Sequence, residues 1–209
     1  MTSYGRTSGG AVPPGADPYG ADRRPVLVAV SGPPGAGETT LAHALAGALG
    51  WPAVCRDEIK ERMAADAPAR GPVGAPEPGG TLDPRTLDAF FRSIGGHLAA
   101  GRNLVAEAAF QDRLWRPGLQ PLADLADIRV VRCVVDPELA RRRIARRAAD
   151  LPSRAVHADA ELLRRIAVGE RPIESWEPIA LDLPCLVVDT TDGWRPALAR
   201  IAAFAVEGG

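Results

Sequence analysis

The chain has 209 residues, 24% of them charged, and a formal net charge of −1. That length buries one sizeable core and makes one domain the expectation, while so balanced a charge excludes the broad basic footprint of extended nucleic-acid or membrane binding. Cys55, Cys133 and Cys185 stand far apart in or beside apolar strand-like runs, which predicts buried thiols in a reducing compartment rather than a disulfide framework or a zinc site.

In chain order, residues 1–24 hold Gly, Pro, Ser and Thr with almost no large aliphatics and read as a disordered tail. Strand 26–31, helix 38–49, strand 53–56 and helix 57–66 follow, and the Gly/Pro-rich stretch 68–80 reads as a mobile loop. Helix 84–100 stops at Gly101, then come strand 103–107 and a helical region, 112–126, broken near Pro117-Gly118. Strand 128–135, an arginine-rich helix 137–149, helix 159–169, strand 185–189 and helix 194–206 complete the order. His43, His97 and His157 have no metal-ligand spacing. No apolar run reaches the ~20 residues of a membrane helix, nor does the N-terminus carry a long apolar leader, so a cytoplasmic protein is expected.

Short apolar strands alternating with helices predict an α/β fold: a mostly parallel, five-stranded sheet covered on both faces as a three-layer sandwich. Right-handed crossovers then put every strand's C-terminal end on one edge, where ligands bind in open α/β sheets. Ser31-Gly32, Arg56-Asp57, Glu107, Asp136 and Asp189 fall at those ends.

The first strand runs into Gly32-Pro33-Pro34-Gly35-Ala36-Gly37-Glu38-Thr39-Thr40, and a helical pattern (Leu41, Leu45, Leu49) follows at once. Strand, glycine loop and helix are the setting of a phosphate-binding loop. The glycines let backbone N–H groups curl around a phosphate, and the helix start adds positive partial charge. Gly32, Pro33, Gly35, Ala36, Gly37, Glu38, Thr39 and Thr40 are therefore the expected nucleotide-binding residues. Thr39 stands where a hydroxyl reaches Mg²⁺. Glu38 stands where a lysine ammonium would reach the β- and γ-phosphates. One added like-charge contact at about 4 Å costs about 4 kcal/mol at an effective dielectric near 20. Lys60 is the only lysine in the chain, so arginine must supply nearly all other cations.

Asp57, at the end of the second predicted strand, can orient or deprotonate a hydroxyl that attacks a γ-phosphate. It can equally cap a helix. Arg56 and Lys60 are candidates to hold an anionic part of a substrate, against Lys60 as a solvated helix charge. Glu107, closing Leu104-Val105-Ala106, can hold Mg²⁺ or align a nucleophile, since a carboxylate in an apolar strand is costly without a partner. The helix after Asp136-Pro137 carries Arg141, Arg142, Arg143, Arg146 and Arg147. Most such runs are solvated faces, but arginines folding over a nucleotide neutralise charge on a transferring phosphoryl group. Arg143 and Arg147 are the chosen candidates, with Arg154 and His157 weaker ones. Phe90, Phe91, Phe110 and Trp115 fit core packing better than an acceptor pocket.

Four pieces together resemble the small P-loop kinases related to chloramphenicol phosphotransferase, zeta-toxin-like kinases and the phage-type polynucleotide 5′-kinase domain. They are the loop from Gly32 to Thr40, Arg56-Asp57-x-x-Lys60, the strand ending in Glu107, and Arg143-x-x-x-Arg147 leading to His157-Ala158-Asp159-Ala160. The resemblance implies that the loop binds ATP, that Thr39 binds magnesium, that Asp57 activates a hydroxyl, and that lid arginines within 137–160 close over the phosphates. Residues 25–209 would then form one kinase-like domain. Its expected activity is transfer of the γ-phosphate to a small-molecule hydroxyl, lowered by Glu38. The alternatives are a nucleotide-binding pseudokinase or switch and a polynucleotide 5′-kinase, the latter opposed by the net charge of −1. No membrane partner is expected, and nothing in the sequence specifies the acceptor or an oligomeric state.

Overall fold

The computed structural model describes residues 24–66, 83–150, 162–166, 168–169 and 173–207. Most of the tail, the stretch 68–80, Arg154, His157 and the start of helix 159–169 lie outside the described residues. Along the chain come β1 (Val26–Ser31), α1 (Glu38–Leu49), β2 (Ala53–Cys55), α2 (Arg56–Ala65) and α3 (Pro84–Ala99). β3 (Leu104–Glu107), α4 (Asp112–Leu119), a 3-10 turn (Gln120–Asp124), β4 (Asp127–Val134) and α5 (Pro137–Asp150) follow. The last elements are α6 (162–166), a second 3-10 turn (Ile173–Ser175), β5 (Cys185–Asp189) and α7 (Leu198–Val206).

The strands lie in the order β2-β3-β1-β4-β5 and every neighbouring pair is parallel, so the sheet is wholly rather than mostly parallel. Alternate residues of β1 divide between its faces, as a strand's two-residue period requires. Leu27 and Ala29 join Leu104, Ala106, Phe90, Ile94, Trp115 and Leu119 on one side. Val28 and Val30 join Val105, Val131, Leu41, Leu45 and Ile201 on the other. Both faces are thus covered, by α3 and α4 on one side and by α1 and α7 on the other, which gives the expected three layers. Phe90 and Trp115 are fully buried and pack edge-to-face at 5.6 Å between ring centres, so the aromatics serve the core as expected. Among the described residues no helix is long and apolar enough to cross a membrane.

The differences from the sequence reading have local causes. Arg56 opens α2 instead of closing β2. The expected break in 112–126 falls at Gln120 rather than at Pro117-Gly118: Pro117 lies inside α4, and the chain passes into a 3-10 turn at Gln120, where Pro121 has no N–H to carry the helical ladder on. α7 starts at Leu198 because Asp189 and Arg195 exchange backbone hydrogen bonds (2.8 and 2.9 Å) that hold the preceding segment extended. Cys55 and Cys133 are buried but Cys185 is exposed, at the start of the edge strand β5.

Candidate functional site

The glycine loop leaves β1 at the C-terminal edge of the sheet and turns into α1. Gly35 has φ +84°, and a Cβ there would lie 2.7 Å from the carbonyl oxygen of Ala140 in α5. Only glycine accepts both that backbone and that contact. Gly35→Ala is therefore expected to cost about 2–4 kcal/mol, read as a lower urea midpoint at unchanged slope. Gly37 (φ 79°) caps α1, and no side chain bonds to the helix start there. The first-turn N–H groups are thus available to an anion.

Two buried hydroxyls fix the loop. Trp115 Nε1 donates to Ser31 Oγ at 2.9 Å, and Ser31 Oγ lies 3.2 Å from the Phe110 carbonyl and 3.3 Å from that of Ala108. Thr190, just past β5, donates through Oγ1 to the Ala36 carbonyl at 2.6 Å. Sequence reasoning stopped at Asp189 and missed Thr190. Its one signal was a hydroxyl immediately beyond a strand's C-terminal end.

Glu38 is only 6% exposed, and its Oε1 has no hydrogen-bond partner. Burial pushes its carboxyl up to about 8; the negative charges of Glu107 and Asp57 add to the rise, while its own backbone N–H and the positive charge of Arg147 oppose it. At neutral pH it is thus mainly a neutral acid.

Glu107, at the end of β3, is 5% exposed and accepts from Thr39 Oγ1 at 3.1 Å. Burial, then the charge of Asp57, raises its carboxyl to about 7, against bonds from Thr39 and Cys55 and the charge of Arg56. Thr39 and Glu107 present hard oxygen donors beside the loop, the chemistry Mg²⁺ takes. These two residues fit that ion. The loop fits a phosphate by its backbone, whereas Glu38 adds an acid where a cation is expected.

The remaining predicted residues divide. Arg143 reaches the loop from α5: its guanidinium donates to the carbonyls of Gly35 (3.4 Å), Thr190 (2.7 Å) and Thr191 (3.4 Å). Arg147 acts electrostatically on Glu38. Both arginines are therefore near the loop. Asp57 is largely exposed, pairs with Arg56, and its charge is felt by Glu38 and Glu107. Cys55, not Asp57, is the N-cap residue of α2. Arg56 is less available: it pairs with Asp57 and stacks 5.9 Å over the Phe110 ring. Lys60 is exposed on α2.

A family model described as an AAA domain matches residues 27–169. A candidate kinase from Chloroflexus aurantiacus J-10-fl has a similar structure (TM-score 0.65, 25% identity, covering 87% of this chain and 97% of that one). A sugar kinase from Janibacter sp. shares the fold at 17% identity (TM-score 0.53, 88% and 99% covered). So does a gluconokinase from Sinorhizobium meliloti at 18% identity (TM-score 0.50, 88% and 91% covered). No curated protein matches the chain.

Proposed function

The chain belongs to the AAA domain family of P-loop kinase-like proteins, and from that membership we propose that it binds ATP with Mg²⁺ and transfers the γ-phosphate to a hydroxyl of a small molecule. The observation that carries this reading is the junction of the glycine loop, the Thr39–Glu107 pair at 3.1 Å and Arg143 within 3.4 Å of the Gly35 carbonyl. In it, loop N–H groups bind the phosphates, and Thr39 and Glu107 hold the ion. Mg²⁺, when bound, neutralises charge on the phosphates. Asp57, exposed at the rim, orients the acceptor hydroxyl and takes its proton, while Arg143 and Arg147 approach the phosphates from α5. Residues 25–209 act as one domain, with α5 supplying lid arginines. The sugar kinase and gluconokinase among similar folds support a small-molecule acceptor.

The test follows label from γ-labelled ATP into a mixture of sugars, polyols and other hydroxylated metabolites. Slow transfer is expected from the native chain, falling by roughly 10²–10⁴-fold in Asp57→Asn. ATP binding without transfer by either the native chain or Glu38→Lys overturns the kinase reading. Glu38 favours a second reading, a nucleotide-binding switch that does not turn over. Strong calorimetric binding of ATP·Mg²⁺ with no transfer by the native chain, but transfer by Glu38→Lys, would select it.

A further inference from the structure

Three side chains that the proposed phosphate chemistry does not use meet where α1 passes the β2–α2 junction. His43 comes from α1, Cys55 from the end of β2 and Glu58 from the first turn of α2. His43 Nε2 lies 2.8 Å from Glu58 Oε1 and 3.6 Å from Cys55 Sγ, and the three ligand atoms all fall within 4.8 Å of one another. We propose that His43, Cys55 and Glu58 form a three-ligand site for Zn²⁺ or a similar borderline-soft dication, with a fourth position left to water.

The ligand geometry supports this. Zinc bonds of about 2.3 Å to sulfur and about 2.0–2.1 Å to imidazole nitrogen, at tetrahedral angles, separate the two ligand atoms by roughly 3.6 Å. That is the observed sulfur–nitrogen distance. The shorter nitrogen–oxygen distance must open by a few tenths of an ångström, which side chains about half exposed at both ends (49% and 44%) readily allow. The same exposure gives the ion an entry path, whereas Cys55 supplies a buried anchor.

An ion pair alone explains the contact between His43 and Glu58. The thiol bonds to the Glu107 carboxyl, and its sulfur stands 3.6 Å from the same Nε2 that faces Glu58. A cation in place of the Nε2 proton serves all three groups. On binding, Cys55 loses its thiol proton to solvent and Nε2 gives up its proton or passes it to Nδ1, so that thiolate and carboxylate together neutralise the dication. The carboxyls of Glu107, Glu58 and Asp57 surround the sulfur with negative charge. Those negative charges favour a dication. The ion would tie α1 to the segment Cys55–Glu58, which contains Arg56 and Asp57. In the sequence the three ligands are spread over residues 43–58 at intervals that match no common zinc spacing; α1 and the β2–α2 junction close the gap.

The test uses the full chain, untagged and metal-free, in a Cys185→Ser background that removes the exposed thiol. Titrated with Co²⁺, it is expected to bind one ion with an intense thiolate-to-cobalt charge-transfer band in the near ultraviolet and the visible bands of a four-coordinate ion. Zn²⁺ should then bleach both. Cys55→Ser should abolish the thiolate band, and His43→Ala, a change at an exposed position, should weaken binding by roughly 10–100-fold. An all-oxygen site at Thr39 and Glu107 would give no thiolate band. Absence of that band at millimolar Co²⁺, or unchanged Co²⁺ affinity in folded His43→Ala, overturns the proposal.

Discussion

Replacing Glu38 by lysine should raise kcat/KM for ATP by about 10³-fold. An ammonium about 4 Å from a terminal phosphate, at an effective dielectric near 20, contributes about 4 kcal/mol, and each ~1.4 kcal/mol specific to the transition state is a factor of ten in rate. The native residue supplies none of this. At neutral pH, however, it also supplies little repulsion, because its buried carboxyl keeps its proton up to about 8. The charge difference between the two side chains is therefore nearer one unit than the two that the sequence suggests. A pH series separates the contributions. As pH rises through about 8, Glu38 ionises and the native chain's nucleotide affinity should fall, while that of Glu38→Lys holds. Steady-state turnover with γ-labelled ATP measures the first effect and calorimetric titration the second. A lysine variant within tenfold of the native rate would mean that another cation already fills the role. Arg147, whose charge Glu38 senses, is the first residue to mutate in that event.

The elements were legible in the sequence because the apolar periods were clean. β1 is a short apolar run bounded by a proline and a glycine loop, and α3 opens on Asp83-Pro84, where the Asp83 side chain accepts from the Arg85 N–H at 2.9 Å. What failed to read was whatever depends on neighbours distant in the chain. Cys185 looks like Cys133 in sequence, yet β5 is an edge strand and β4 is not. Thr190 holds the loop through a residue 154 positions away, a pairing no local pattern encodes. Of the site, the loop itself was readable from glycine spacing. The charge state of Glu38 was not, since it arises from burial and from carboxylates at the end of β3 and in the first turn of α2. His43, Cys55 and Glu58 came together only once the parallel sheet had set α1 beside the β2–α2 junction.

The buried acid also makes the stability of the fold depend on pH. Glu38 titrates near 4.5 in the unfolded chain and near 8 in the folded one. Below 4.5 both states are protonated and the group is neutral to folding. Between the two values the unfolded chain has released a proton that the folded chain retains, so stability falls by about 1.4 kcal/mol per pH unit. Above about 8 both states are ionised and the penalty levels off. At neutral pH the accumulated loss is about 3 kcal/mol. Glu38→Gln removes the titration and keeps the shape, so it should raise Tm by roughly 6–12 °C at neutral pH, at about 2–4 °C per kcal/mol for a chain of this size. The gain should shrink steadily as the pH is lowered towards 4.5. Glu107 follows the same rule over a narrower window, because burial and Asp57 raise its carboxyl only to about 7. A falling stability profile should thus persist in the Glu38→Gln variant, shallower and ending at a lower pH. Calorimetric melts across that range decide it: equal Tm values for the native chain and the variant at neutral pH would mean that Glu38 is solvated and charged, and the account of the loop as holding a neutral acid would be wrong.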